Sequence, residues 1–162
     1  MDWLVKNLST LGPVGTKLPA PGTFGSLAGV TIFIFFIWLS IIPPFLILLC
    51  FLLLFFLGIP MCSRVEVLLG KADPPEVIWD EFTAVPLVYI FCINELDSVF
   101  ILISGFVLFR IFDIAKPLGI RKLQLLPGGI GVMIDDLAAA LCSACILYFV
   151  KTFALSFNQY QF

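Results

Sequence analysis

The sequence contains no histidine, and charged residues make up only 12% of its 162 positions. Without an imidazole there is no histidine nucleophile, no histidine general base and no ligand set for most zinc sites. No charged residue occurs between Lys17 and Arg64, and this interval holds two apolar runs separated by Pro43-Pro44. Soluble domains carry about 25% charged residues. The composition therefore excludes an ordinary soluble protein and indicates an integral membrane protein.

The cysteines and the N-terminal segment exclude two further classes of protein. All five cysteines lie in or at the ends of apolar runs, which is typical of packing residues. Cys142 and Cys145 have the spacing of a redox motif, but no βαβ pattern surrounds them. Residues 1–25 contain no apolar segment followed by a small-residue cleavage site, so no cleaved signal peptide is expected.

The apolar runs predict an all-α, polytopic bundle of about five transmembrane helices in one membrane-embedded domain, residues 1–162. After an N-terminal segment, residues 1–25, the predicted helices span 26–42, 45–62, 76–93, 98–116 and 132–153. Each is close to the ~20 residues that a bilayer requires. Asp73 and Pro74 are predicted to cap and open the third helix, and Ser98 to cap the fourth.

Basic residues predict the orientation of this bundle. The N-terminal segment and two of the loops lie on one side of the predicted bundle. They carry the basic residues Lys6, Lys17, Arg64, Lys71, Lys116, Arg121 and Lys122. The opposite loops carry only Glu95 and Asp97, and Lys151 near the outer end of the last helix is expected to snorkel. By the positive-inside rule, the N-terminus and the basic loops are cytoplasmic and the C-terminus is outside.

With this topology, charged residues from three helices meet near the cytoplasmic face: Asp80, Glu81, Arg110, Asp113, Lys116, Asp135 and Asp136. One charged residue at the centre of a bilayer helix costs roughly 3 kcal/mol. The two vicinal acid pairs exceed the nearby cations, and excess carboxylate favours a hard divalent ion such as Mg²⁺. The basic side chains favour a phosphate-bearing ligand. Gly128 and Gly129 lead into the last helix with a backbone able to cup a phosphate.

Other functions fit the same charges. They can form salt bridges only, such as Arg110 with Asp113 or Lys116 with an aspartate, in a noncatalytic assembly subunit that needs no metal. They can also line the ion path of a transporter or an ion-binding membrane subunit. A transporter is expected to carry polar residues at mid-membrane depth on several helices, and the first two predicted helices offer essentially none.

Four blocks in the chain resemble, in order, the phosphatidylglycerophosphatase A family: "PGTFGSLAG" (21–29), "VIWDEF" (77–82), "FRIFDIAKPLGIR" (109–121) and "GGIGVMIDDLAA" (128–139). The resemblance implies Mg²⁺-dependent hydrolysis of phosphatidylglycerophosphate to phosphatidylglycerol and phosphate, in phospholipid biosynthesis. Together with the orientation predicted from the basic residues, it leads us to expect a multi-pass protein of a bacterial-type cytoplasmic (inner) membrane, with its active site facing the cytoplasm. Relatives often carry an acidic residue and a histidine where this chain reads "KLQLLP" (122–127).

The missing residues also exclude other lipid phosphatases. The histidine-dependent superfamily needs a histidine, and the cysteine phosphatases need a Cys-x5-Arg loop that this chain does not have. The aspartate pattern of the CDP-alcohol transferases is absent as well.

The hypothesised site divides the charged residues by role. The predicted Mg²⁺ ligands are Asp80, Glu81, Asp135 and Asp136, and Asp113 orients water or completes the ligand shell. The predicted phosphate-binding residues are Arg110, Lys116, Arg121, Thr23, Gly128 and Gly129. The hypothesised reaction is in-line attack on phosphorus by activated water, with a covalent aspartyl-phosphate step left open. The expected partners are the lipid substrate and membrane lipids, without nucleic acid, and homo-oligomerisation is left open.

Overall fold

The computed structural model describes residues 2–159, with side chains described from residue 2 to residue 153. In this part of the chain the α-helices are α1 (Asp2–Ser9), α2 (Pro13–Lys17), α3 (Pro21–Leu39), α4 (Pro44–Leu69), α5 (Trp79–Ala84), α6 (Val99–Ala115), α7 (Ile120–Leu123) and α8 (Gly129–Gln159). Short 3₁₀ turns occur at Val85–Tyr89 and Ile93–Glu95. The described residues form no β-strand, and the predicted all-α class is confirmed.

Three helices, α3, α4 and α8, are long and apolar enough to cross a membrane, so the count of five spans is not confirmed. Helix α6 has 17 residues, fewer than the ~20 that a bilayer requires. Helices α3 and α4 begin at Pro21 and Pro44, because the fixed φ of proline suits the first helical position. Helix α4 continues past the predicted end at residue 62 and stops at Gly70, whose left-handed backbone terminates it.

The predicted continuous helix over residues 76–93 is wrong. The structure divides it into α5, the 3₁₀ turn and an irregular connection. Pro86 has no N–H to donate to the carbonyl of Phe82, which interrupts α-helical bonding at this point. A side chain at Gly29 would collide with that carbonyl, so the glycine lets α3 lie directly against it. Residues 82–89 are all buried, which makes this segment part of the core.

The predicted cap of this segment is also wrong. Helix α5 follows Ile78, without a side-chain cap, and Asp73 lies upstream in a loop with a φ of 45°. Ser98 does precede α6, but its side chain makes no capping hydrogen bond.

Buried aromatic residues hold residues 79–89, here called the α5 segment, between the neighbouring helices. Trp79 Nε1 donates to the carbonyl of Leu54 on α4 at 3.0 Å. Tyr89 is fully buried, stacks on Phe33 of α3 at 5.9 Å between ring centroids, and donates its hydroxyl to Leu102 of α6 at 2.7 Å. The segment is therefore fixed by α3, α4 and α6 together.

Contacts at the two ends of the bundle fix the position of α8. At its beginning, Gly129 N donates to Ser63 Oγ of α4 at 2.7 Å, and a Cβ at Gly129 would collide with α4 backbone. At the other end, Lys151 forms an ion pair with Glu95 at 2.6 Å. Lys151, expected to snorkel, thus has a partner within the protein.

Candidate active site

One end of the bundle encloses a cavity of about 280 Å³. It is lined by Ala20, Pro21, Gly22, Thr23, Asp73, Pro75, Val77, Asp80, Glu81, Arg110, Asp113, Lys116 and Asp136. These residues come from the start of α3, the loop before α5, the first turn of α5, the last turns of α6 and the start of α8. Asp136 lies seven positions after the first residue of α8, roughly 10 Å along its axis. The predicted convergence of charged residues is therefore present.

Three carboxylates form an acidic cluster in this cavity. Asp80, Glu81 and Asp136 each offer an oxygen within 4.8 Å of the others. The exposed fraction is 6% for Asp80 and 2% for Asp136. Asp80 Oδ1, Glu81 Oε2 and Asp136 Oδ2 are buried and have no hydrogen-bond partner among the described residues. Unpaired buried carboxylate is costly, and oxygen ligands suit hard cations. The acidic cluster can therefore bind a metal ion.

Asp135 lies outside the acidic cluster and forms an ion pair with Lys116. Adjacent residues on an α-helix point about 100° apart, so the two aspartates of α8 face different neighbours. Burial opposes the charge on Lys116, but its hydrogen bond to Asp135 and the surrounding carboxylates raise its pKa above the ordinary value. Lys116 therefore stays protonated on the cavity wall.

Arg110 connects three helices at the cavity. Its Nη1 lies 2.6 Å from Asp113 Oδ2, 3.0 Å from Ser26 Oγ and 4.0 Å from Glu81 Oε1. Asp113 Oδ1 also lies 3.8 Å from Lys116 Nζ. The predicted ion pair of Arg110 with Asp113 is thus present. Within the acidic cluster, Glu81 lies 4.0 Å from Arg110, whereas Asp80 and Asp136 form no ion pair with a described residue.

Sequence reasoning missed Ser26 and Asp73. Ser26 is fully buried, accepts from Arg110 and donates to the carbonyl of Gly22 at 2.9 Å. Its signal was a polar residue inside an otherwise apolar helix. Asp73, predicted to cap the third helix, instead lines the cavity and accepts from Gln124 at 3.0 Å. No local pattern connects Asp73 with a residue 51 positions away.

The predicted phosphate-binding residues separate into two groups. Arg110, Lys116 and Thr23 line the cavity. Arg121, Gly128 and Gly129 do not. Arg121 is exposed on α7, and Gly129 is buried against α4, so its lack of a side chain serves helix packing.

Comparison with known proteins identifies the family. The sequence model of the Phosphatidylglycerophosphatase A family matches residues 7–151. The chain belongs to the phosphatidylglycerophosphatase A family. A phosphatidylglycerophosphatase A of Haemophilus influenzae is 36% identical over 163 aligned positions, covering 93% of this chain and 96% of the relative. One of Escherichia coli is 35% identical over 131 positions, covering 80% and 73%.

A third relative has a different name. A putative phosphatidylinositol-3-phosphatase of Bacteroides thetaiotaomicron is 38% identical over 133 positions, covering 79% of this chain and 81% of the relative. No solved structure matches the chain. Membership of the phosphatidylglycerophosphatase A family places this protein among the phosphoric monoester hydrolases.

The ion pairs of this protein differ in the exposure of their side chains, so we expect the loss of one pair to destabilise the fold more than the loss of another. We expect Asp113→Asn to lower the free energy of unfolding by about 3–5 kcal/mol, because Arg110 loses its closest carboxylate in a site where both side chains are at most 15% exposed. Asp2→Asn removes a partner of Arg64 in a pair whose side chains are 51% and 53% exposed, and should cost less than about 1 kcal/mol. Unfolding in detergent measures both. Equal effects would contradict the structural importance of Asp113.

Proposed function

We propose that this protein hydrolyses the terminal phosphate monoester of phosphatidylglycerophosphate, releasing phosphatidylglycerol and inorganic phosphate. The observation that carries the proposal is the acidic cluster, whose three residues line one cavity together with Arg110 and Lys116 and each have a buried oxygen without a hydrogen-bond partner. A phosphate monoester needs this combination, since anionic ligands hold a metal and cations neutralise phosphoryl oxygens. The two relatives named phosphatidylglycerophosphatase A support the choice of substrate.

We propose Mg²⁺ as the metal and Asp80, Glu81 and Asp136 as the residues that hold it. Magnesium prefers carboxylate oxygens and retained water, and the cluster offers three carboxylates with an unpaired oxygen each. When bound, such an ion supplies Lewis-acid activation of water and of the phosphoryl group. Asp135, the fourth ligand predicted from the sequence, is assigned here to holding Lys116.

The cationic side chains have a positioning and a stabilising role in this proposal. Arg110 and Lys116 bind the phosphoryl oxygens and neutralise the charge that develops on them. Asp113 lies between the two cations and fixes both at the cavity wall. The hydroxyl of Thr23 is a further donor on the same wall. We do not assign a phosphate contact to Arg121, Gly128 or Gly129, which lie off the cavity.

A second substrate is suggested by the relative named a putative phosphatidylinositol-3-phosphatase. That name describes a lipid that also carries a phosphate monoester, so the same charged cavity suits it chemically. Phosphate release from equal amounts of phosphatidylglycerophosphate and phosphatidylinositol 3-phosphate separates the two functions. The proposed function requires the higher kcat/KM for phosphatidylglycerophosphate, and the reverse ranking would favour the second.

We further propose that the cavity faces the cytoplasm in a bacterial inner membrane. The support is the concentration of basic residues in the segments next to the cavity end. A cysteine introduced at Asp97, an exposed position on the opposite side, should react with a membrane-impermeant reagent added outside intact cells. Reaction from the cytoplasmic side only would contradict this orientation.

Replacing the carboxylates tests the acidic cluster. We expect Asp80→Asn and Asp136→Asn to reduce phosphate release by about 100-fold or more, since metal activation of water is lost. Both variants should unfold at the temperature of the wild type or above it, because removing a charge relieves repulsion among unpaired carboxylates. Asp97→Asn is the control and should keep full turnover. Destabilised variants with normal turnover would show that these carboxylates are structural.

Removing the metal tests the cofactor. EDTA should abolish phosphate release from phosphatidylglycerophosphate, and excess Mg²⁺ should restore it. Because a ligand that binds only the folded state stabilises it, Mg²⁺ should also raise the unfolding temperature of the wild type. Asp136→Asn should show a much smaller increase. Full activity in EDTA would refute the proposed metal site.

A further inference from the structure

The outer face of α6 carries a shallow, open apolar surface next to the cavity, with a volume of about 380 Å³, which we call the α6 groove. It is lined by Phe106, Val107, Arg110, Ile111, Ile114 and Ala115. Val107, Ile111 and Ile114 share one helix face by their spacing of four and three, and each is between 47% and 68% exposed. The α6 groove is therefore apolar and open to the outside of the bundle.

Arg110 is the residue that the α6 groove and the cavity have in common. Its Nη1 is turned to Asp113, Ser26 and Glu81 inside the protein. Its Nε is buried and has no hydrogen-bond partner among the described residues. A buried N–H without an acceptor is costly, and an anionic oxygen of a bound ligand is the acceptor that would satisfy a guanidinium best.

A second apolar groove provides an internal comparison. It lies along α3 and α4 and is lined by Ile32, Phe36, Ile42, Ile47, Cys50, Phe51, Leu54 and Phe82. None of these residues lines the cavity. This α3–α4 groove has the same apolar chemistry as the α6 groove, but it has no charged residue and no connection to the acidic cluster.

We propose that the α6 groove binds an acyl chain of the substrate lipid, which reaches the cavity sideways from the membrane. The inference rests on the proposed function, because phosphatidylglycerophosphate carries two phosphates. With the terminal monoester in the cavity and the acyl chain in the groove, the phosphodiester that joins them lies at the boundary, beside Arg110. Arg110 Nε donates to an oxygen of this phosphodiester.

The lining of the groove explains why an acyl chain is the occupant. Contact with the apolar side chains of α6 keeps the acyl chain apart from the polar headgroup without exposing the acyl chain to water. The positive charge of Arg110 lies at the end of the groove nearest the cavity, where a glycerophospholipid carries its first negative charge. The groove and the cavity together thus match the order of apolar and charged parts in the lipid.

Filling the α6 groove tests this inference. The substrates are dioleoyl phosphatidylglycerophosphate in mixed micelles and glycerophosphoglycerophosphate, the same headgroup without acyl chains. We expect Ile111→Trp to raise KM for the diacyl substrate about tenfold, the loss of roughly two buried methylene groups, with little change in kcat. The same variant should leave kcat/KM for the deacylated substrate unchanged. Ile32→Trp, which fills the α3–α4 groove instead, should change neither.

Each other outcome overturns the inference in a distinguishable way. An unchanged KM of Ile111→Trp for the diacyl substrate would show that no acyl chain occupies the α6 groove. An equal loss on both substrates would show that the effect of the tryptophan does not depend on the acyl chains, which contradicts an acyl-chain site on α6. The same KM increase in Ile32→Trp would place the acyl chain elsewhere. If the wild type hydrolysed neither substrate, the proposed function itself would fail, and the acyl-chain site with it.

Discussion

The contact between Arg110 and Asp113 holds the charged end of this bundle together. Arg110 reaches Ser26 on α3 and lies 4.0 Å from Glu81 on α5, while Asp113 also lies near Lys116, which pairs with Asp135 on α8. Four helices are thereby connected through one ion pair between residues three apart on α6. In a poorly solvated site a charge that loses its partner is strongly destabilising, so each member constrains the position of the next.

Close packing, rather than attraction between charges, brings α3 against α5. The glycines of "PGTFGSLAG" face α5 in succession: Gly22 faces the carboxylate of Glu81, Gly25 faces Ile78, and Gly29 faces the carbonyl of Phe82. A Cβ at Gly25 or Gly29 would meet Cβ or backbone atoms and force the two helices apart, whereas a Cβ at Gly22 would displace the carboxylate of Glu81. This motif therefore has two physical functions, since its glycines set the distance between helices and its serine accepts from Arg110.

The sequence predicts the long helices and most of the charged site because both are local signals. Uninterrupted apolar runs determine α3, α4 and α8, and charges in apolar surroundings, such as Asp80 on α5 and Asp136 on α8, stand out because they are costly there. The third predicted helix is broken because Pro86 interrupts its hydrogen bonding and because the segment is buried on all sides. A hydropathy pattern does not report burial on all sides. The different partners of Asp135 and Asp136, and the place of Asp73 in the cavity wall, depend on contacts between distant parts of the chain. These contacts become visible only when the helices are packed.

The enclosed α5 segment has a consequence for how the protein is assembled in a membrane. It is short, carries two carboxylates and is covered by α3, α4, α6 and α8, so it lacks the apolar length that would stabilise a separate inserted helix. Its free energy inside the bilayer is favourable only once the surrounding helices have excluded lipid from it. We therefore expect helix association to complete the acidic cluster after insertion of the long helices, so that a misassembled bundle would have membrane spans but no assembled cluster.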